Sequence, residues 1–211
     1  MLLSLLTFTL AATLIVLLPG PDTLVVLRNL VRGGRSSAIR TVLGVLAGLL
    51  CWVVTAALGL STVLRASSDA YLALRIAGAV YLVWLGIASL RSRGQGAPDQ
   101  ATPRRHAARR RGSLVGHGFP AGLATDLLNP KVGVFFVTFL PGFVPAGYSI
   151  GWVSLALGGI FVLLTGLYFA VLIGAADQVR GWLATSHIRR RLDRATGLVL
   201  VGFGLKLAAE G

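Results

Sequence analysis

The chain has 211 residues, 55% of them hydrophobic and 13% charged, whereas a soluble globular domain carries roughly 25% charged residues. Its net charge of +13 would suggest nucleic-acid binding on a soluble protein, but the basic residues stand between apolar segments, so we expect no nucleic-acid partner. One cysteine and three scattered histidines exclude a disulfide framework and a metal-ligand set, and without a nucleophile and base pair we expect no enzyme, no metal and no cofactor.

Six apolar segments approach the roughly 20 residues that a helix needs to cross a bilayer. In chain order they are residues 2–18, 42–60, 71–90, 114–140, 152–173 and 195–209. The fourth segment is long and is interrupted by Asn129 and Pro130, and the sixth is short, so five spans remain an alternative count. The sequence thus predicts an all-α integral membrane protein.

The basic residues predict the orientation of these spans, because Lys and Arg accumulate in short cytoplasmic loops. Four of the 20 lie in the first connection, seven in the third and five in the fifth, while the fourth connection carries no charge. The pattern predicts a multi-pass protein of the bacterial inner membrane with six spans and both termini outside. The arginine-rich loops are expected to meet anionic lipid on the cytoplasmic side.

Residues 94–112 are rich in Gly, Pro, Gln, Ala and Arg and show no apolar periodicity, so we expect a disordered, basic cytoplasmic linker. This linker separates a first three-helix repeat, residues 1–93, from a second, residues 113–211. Because three crossings precede the linker, the second repeat enters the membrane in the opposite sense. Such inverted repeats are common in secondary transporters.

Both predicted repeats contain helix-breaking residues between apolar runs. Pro19, Gly20 and Pro21 follow the first span, and Asn129 with Pro130 interrupts the fourth. Proline lacks a backbone donor and clashes with the preceding turn, so each motif should end or unwind its helix. Breaks at corresponding positions of two repeats indicate a transporter's binding site, although a tight turn at the membrane interface would also explain the first one.

One charged residue stands beside each break. Aligning Pro21 with Pro130 places Asp22 opposite Lys131. Each charge costs roughly 2.5–3.5 kcal/mol at the centre of a membrane helix, which predicts a partner for each. The two could form a structural salt bridge, could reach an interface, or could be the two poles of a zwitterion site. The residues alone leave these alternatives open.

Two further polar residues precede Pro130. Asp126 could accept a proton, cap the helix that resumes after the break, or bond to Lys131. Asn129 could cap the same helix or contact a ligand with its amide, and both roles can be filled together.

Two glycine pairs, Gly44 with Gly48 and Gly118 with Gly122, have the spacing that lets membrane helices approach closely. Packing is the favoured interpretation, since 27 glycines make such spacings frequent. The four tryptophans, Trp52 among them, fall mostly toward span ends and are interpreted as interfacial anchors without a ligand role.

The motif PGPD at residues 19–22, the glycine-rich second span and the motif LNPK at residues 128–131 resemble the LysE/RhtB family of amino-acid exporters. The resemblance extends to the order of the spans and the position of the linker. It implies export of an amino acid such as lysine, arginine, homoserine, threonine or leucine, driven by an ion gradient, with a proton as the expected coupling ion. The substrate-binding residues expected in this chain are Pro19, Gly20, Pro21, Asp22, Asp126, Asn129, Pro130 and Lys131.

Asp126 departs from the family pattern, because relatives more often carry a neutral polar residue there. An additional acid near the site could favour a cationic substrate or could accept a proton, and the sequence does not decide between them.

The expected mechanism is alternating access, in which the two repeats rock around a site where the broken spans meet. Asp22 would hold the ammonium group of the substrate, and Lys131 its carboxylate. The alternative is a non-transporting membrane assembly or signalling subunit, although two costly helix interruptions argue against a pure scaffold. The sequence leaves open which amino acid is carried and whether the chain forms a homodimer.

Overall fold

The computed structural model describes residues 2–60, 68–91, 117–145 and 147–175, together with isolated positions between 194 and 208. Within those ranges the regular structure is entirely helical, which confirms the predicted all-α class. The α-helices are α1 (Leu2–Leu17), α2 (Pro21–Thr55), α3 (Ser68–Arg91), α4 (Gly118–Leu127), α5 (Pro130–Val134) and α6 (Ile150–Gly174). The predicted linker and most of the predicted sixth span lie outside the described residues.

Turns of other helical types extend two of these helices. A π-helical turn, Ala56–Leu60, continues α2, and a second one, Phe135–Phe139, continues α5 into the 3-10 turn Leu140–Phe143. By length and composition, Pro21–Leu58 and α6 could each cross a membrane, and α4 with the extended α5 forms a third candidate that is bent by 49°. The count of six spans stays a prediction.

The stretch between the first two predicted spans, residues 19–41, is helical from Pro21 onward. Only Gly34 leaves the helical region, with φ 69° and ψ −171°, and this positive φ favours glycine. Val26 and Leu30 are fully buried before this bend, while the arginines of the stretch are exposed. The first connection is therefore a bent helix that carries arginines on its outer face.

Helices α2 and α4 approach each other through glycines. A Cβ atom at Gly44 would overlap the carbonyl oxygen of Phe119, and one at Gly122 would overlap the carbonyl oxygen of Thr41. The packing role predicted for Gly44 and Gly122 is confirmed. The same prediction is wrong for Gly118, which begins α4 with φ 64° and is required there for its backbone conformation.

Aromatic side chains fix the extended α5 against α1 and α6. Phe8 of α1 meets the ring of Phe143 edge-on with centroids 5.3 Å apart, and Phe135 lies 5.0 Å from Phe161 of α6. Each such pair contributes about 0.5–1.5 kcal/mol beyond its buried area. This cluster holds the residues after the second helix break close to the end of α1.

The described positions of the sixth predicted span lie against α3. A Cβ atom at Gly197 would come within 2.7 Å of the Gly86 carbonyl oxygen, and one at Gly204 within 2.8 Å of the Ala79 carbonyl oxygen. These contacts place small residues where the two backbones meet.

Candidate functional site

The first helix break separates α1 from α2. Helix α1 ends at Leu17, and Pro19 cannot donate the amide hydrogen that would continue it. Pro21 begins α2 at its first position, where no donor is needed. The carbonyl oxygens of Ile15 and Leu18 therefore lie at an open helix end, where the helix itself supplies too few donors. The break predicted from the prolines is present.

Lys131 of α5 binds this open end of α1. Its side chain is 8% exposed, and its Nζ donates hydrogen bonds to the carbonyl oxygens of Ile15 at 3.2 Å and Leu18 at 3.1 Å. Gly20 leaves room for the ammonium group, since a Cβ atom there would lie 3.2 Å from Nζ. The carbonyls at a helix C-terminus carry partial negative charge and stabilise a cation. The lysine of the second half is thus held by backbone of the first half.

Asn129 organises the second helix break, between Leu127 and Pro130. Its Oδ1 accepts a hydrogen bond from the backbone amide of Lys131 at 3.1 Å, which caps α5 as predicted. Its Nδ2 donates to Asp22 Oδ2 at 2.6 Å. Asp22 lies in the first turn of α2, where the helix dipole also stabilises a carboxylate. The acid of the first half is thus held by an amide of the second half.

Asp22 and Lys131 line one cavity but are not held by each other. Asp22 is hydrogen-bonded to Asn129, and Lys131 to two backbone carbonyls. The second oxygen of Asp22, Oδ1, is buried and has no hydrogen-bond partner among the described residues. A structural salt bridge, one of the alternatives open from the sequence, is therefore not the arrangement in this structure.

Asp126 is fully buried in α4, and within the described ranges neither of its carboxylate oxygens has a hydrogen-bond partner. Gly48 of α2 packs against it, since a Cβ atom there would lie 2.5 Å from Oδ2. Asn129, and not Asp126, caps α5, and Lys131 bonds elsewhere. Capping and bonding to Lys131 are thus the wrong predictions for Asp126, and its role as a proton acceptor stays a prediction.

Trp52 differs from its predicted role as an interfacial anchor. It is half-buried, its Nε1 donates to the backbone carbonyl of Asp126 at 3.3 Å, and its ring lies 3.0 Å from the Cβ position of Gly133. It therefore bridges the two helices that flank the second break. The sequence offered a signal, because Trp52 follows Gly48 by one helical turn and shares its face.

The cavity between the breaks is small, about 30 Å³. Four residues of the predicted site line it, namely Gly20, Asp22, Asp126 and Lys131. The other four, Pro19, Pro21, Asn129 and Pro130, form the breaks around it. The structure thus brings the predicted residues together around one small cavity.

Polar residues of α6 complete the lining and were not predicted. Thr165 and Tyr168 both face the cavity, and the Tyr168 hydroxyl lies 3.5 Å from the hydroxyl of Thr23. Thr165 is nine-tenths buried or more, and its hydroxyl donates to the Phe161 carbonyl. Their spacing of three residues on one face of an apolar helix is the signal that could have identified them.

A helical chain that places a buried acid, a half-buried acid and a buried lysine between apolar helices is a membrane protein with an internal polar site. The chain belongs to the LysE type translocator family, whose model matches residues 13–211.

Relatives of this chain cover nearly its whole length. It is 31% identical to the uncharacterized membrane protein YrhP of Bacillus subtilis, over 96% of this chain and 97% of the relative. It is 29% identical to the threonine efflux protein of Escherichia coli K12, over 98% of each chain, and 30% identical to the leucine efflux protein of Salmonella choleraesuis, over 96% of this chain and 93% of that protein. No solved structure matches the chain at a significant level.

Proposed function

We propose that this chain is a gradient-driven secondary transporter that exports an amino acid or a close derivative across the inner membrane by alternating access. The observation that carries the proposal is that two opposite charges around one small cavity are each held by the other half of the chain. Asp22 of the first half is held by Asn129 of the second, and Lys131 of the second half is held by carbonyls of the first. The threonine and leucine efflux proteins among the relatives support an amino acid as substrate.

The two charges match the two ends of an amino acid. Asp22 Oδ1 has no hydrogen-bond partner among the described residues, so it can accept the substrate ammonium while Oδ2 keeps its bond from Asn129. Lys131 Nζ carries three donors and uses two of them on the carbonyls of Ile15 and Leu18, so the third can bind the substrate carboxylate in a charge-assisted hydrogen bond.

The cavity is narrower than the proposed substrate. A cavity of about 30 Å³ cannot hold an amino acid, and ligand pockets commonly measure roughly 300–1,000 Å³. In this arrangement two protein carbonyls bind the Lys131 ammonium, so the charge is paired without a substrate. Loading requires the elements around the cavity to separate, as alternating access demands.

The proposed topology has six spans in two inverted three-helix repeats, residues 1–93 and 113–211. The linker, residues 94–112, and the other arginine-rich connections lie in the cytoplasm near anionic lipid, with both termini outside. The helix breaks at matching places of the two halves support this arrangement. The proposed coupling ion is a proton.

Purified protein in liposomes tests the proposal by exchange of radiolabelled L-threonine and L-leucine. We expect exchange by the wild type and its loss in both Asp22→Asn and Lys131→Ala, because each removes one pole of the site. Asp99→Asn, which changes an acid of the predicted linker, is the matched control and should exchange normally. Wild-type flux in both site variants, at normal levels of inserted protein, would refute the assignment.

The double variant Asp22→Lys with Lys131→Asp distinguishes oriented ligand contacts from a simple ion pair. The carbonyls of Ile15 and Leu18 cannot donate to a carboxylate, so we expect no recovery of exchange. Full recovery would indicate that only opposite charge matters. A wild-type protein that exchanges neither neutral nor cationic amino acids would favour the alternative, a non-transporting membrane assembly or signalling subunit.

A further inference from the structure

Two acids line the cavity, the half-buried Asp22 and the fully buried Asp126, and they differ in their hydrogen bonds. Asp22 accepts a hydrogen bond of 2.6 Å from the Asn129 amide and lies in the first turn of α2. Asp126 is 0% exposed, and across the described ranges both of its oxygens lack a hydrogen-bond partner. Asp22 is therefore stabilised as a carboxylate, while nothing among the described contacts stabilises a negative charge on Asp126.

The charges around the cavity leave one acid in excess. The titratable groups that line it are Asp22 from α2, Asp126 from α4, Lys131 from α5 and Tyr168 from α6, whereas α1 contributes apolar side chains and carbonyls. Lys131 supplies one positive charge for two acids. Burying an ionised carboxylate without a partner is far more costly than burying a neutral acid.

The space beside Asp126 restricts what can neutralise it. The Cβ position of Gly48 is 2.5 Å from Oδ2, so the carboxyl group is tightly packed on its α2 side, and the whole cavity measures only about 30 Å³. A hard metal cation takes about six oxygen ligands, which this space does not offer, whereas a proton needs no added volume. The geometry favours a proton.

We propose that Asp126 is the proton-binding residue of the transport cycle and that it carries a proton in the arrangement that the structure describes. This inference rests on the proposed export function. A proton from the outer solution binds a carboxylate oxygen of Asp126, the empty site closes, and the proton leaves to water when the site opens to the cytoplasm. The substrate ammonium then lies near the carboxylates of Asp22 and Asp126, with the substrate carboxylate on Lys131, until the amino acid is released outside. One proton enters for each amino acid that leaves.

Infrared spectroscopy tests the site without any substrate. In purified wild-type protein reconstituted in lipid, we expect the C=O stretching band of a protonated carboxylic acid at neutral pH. The band should be lost in Asp126→Asn and retained in Asp99→Asn, the matched control in the predicted linker. Absence of the band from the wild type, or its persistence in Asp126→Asn, would overturn the proposal. This result does not depend on transport, so it separates failure of the inference from failure of the proposed function.

A pH-sensitive dye trapped in the liposomes tests the coupling. When radiolabelled L-threonine or L-leucine leaves loaded liposomes, we expect the lumen to acidify with the wild type and with Asp99→Asn, and to show no acidification with Asp126→Asn. Amino-acid efflux by the wild type without proton entry would contradict the coupling. If neither amino acid moves, the infrared band alone decides whether Asp126 carries the proton.

Discussion

The two helix breaks bind opposite charges by different chemical means. The first break, around Pro19, presents the open carbonyls of α1 to Lys131. The second break presents one side chain, Asn129, which caps α5 and donates to Asp22. Every residue type has a backbone carbonyl oxygen, whereas only Asn and Gln have a side-chain amide like that of Asn129. Point mutation can therefore remove the partner of the acid but not the partner of the lysine.

Substitution of Asn129 should have the largest effect on stability, because this residue holds both Asp22 and the start of α5. Asn129→Ala loses the cap, about 1 kcal/mol, and leaves Asp22 without its donor, about 1–3 kcal/mol more. Asn129→Ser keeps a capping oxygen but cannot reach Asp22, so its loss of stability should be smaller. We expect amino-acid exchange to fall strongly in both variants. The thermal unfolding midpoint measures the loss of stability in each. Normal exchange by Asn129→Ser would show that Asp22 needs no support from the second half.

Gly48→Ala should have an intermediate effect, because it acts on the acid that neither break supports. The new methyl group would lie 2.5 Å from Asp126 Oδ2 and 2.9 Å from its Cβ, so we expect a loss of about 1–3 kcal/mol. Gly159→Ala on α6 is the control, since no atom lies within 4 Å of its Cβ position. Equal thermal midpoints in the two variants would contradict the close packing around Asp126.

Trp52→Phe should have the smallest effect and sharpens the description of the second break. It keeps an aromatic ring near Gly133 but loses the hydrogen bond to the Asp126 carbonyl, about 1 kcal/mol. Trp152, which is 76% exposed on α6, offers the matched control Trp152→Phe. We expect a small fall of the unfolding midpoint in Trp52→Phe alone. An identical midpoint in the two variants would indicate that Trp52 is an interfacial anchor, as the sequence predicted.

Local sequence patterns predicted the helices and both breaks, because an apolar run or a proline determines the conformation of the backbone nearby. The end of α1 at Leu17 and the start of α5 at Pro130 follow directly from such signals. The capping oxygen of Asn129 is equally local. The pairs Gly44 with Gly48 and Gly118 with Gly122 predicted close packing but not the helix that each glycine meets.

Local sequence patterns could not predict the partners of the charged residues. Lys131 and Ile15 are 116 residues apart, and Asn129 and Asp22 are 107 residues apart, so only the fold brings them together. Tyr168 was missed for the same reason, since it reaches the cavity from α6. Alignment of the two breaks put Asp22 and Lys131 in one place, but it could not show that each is held by the opposite half.

The contact between α2 and α4 has a consequence for motion. At Gly44 and Gly122 each backbone touches the other with no side chain between them, so pulling the helices apart would open an apolar gap that nothing fills. Rotation about the same line changes few contacts. We therefore expect this seam to act as the stationary axis of the cycle, with the largest displacements far from it.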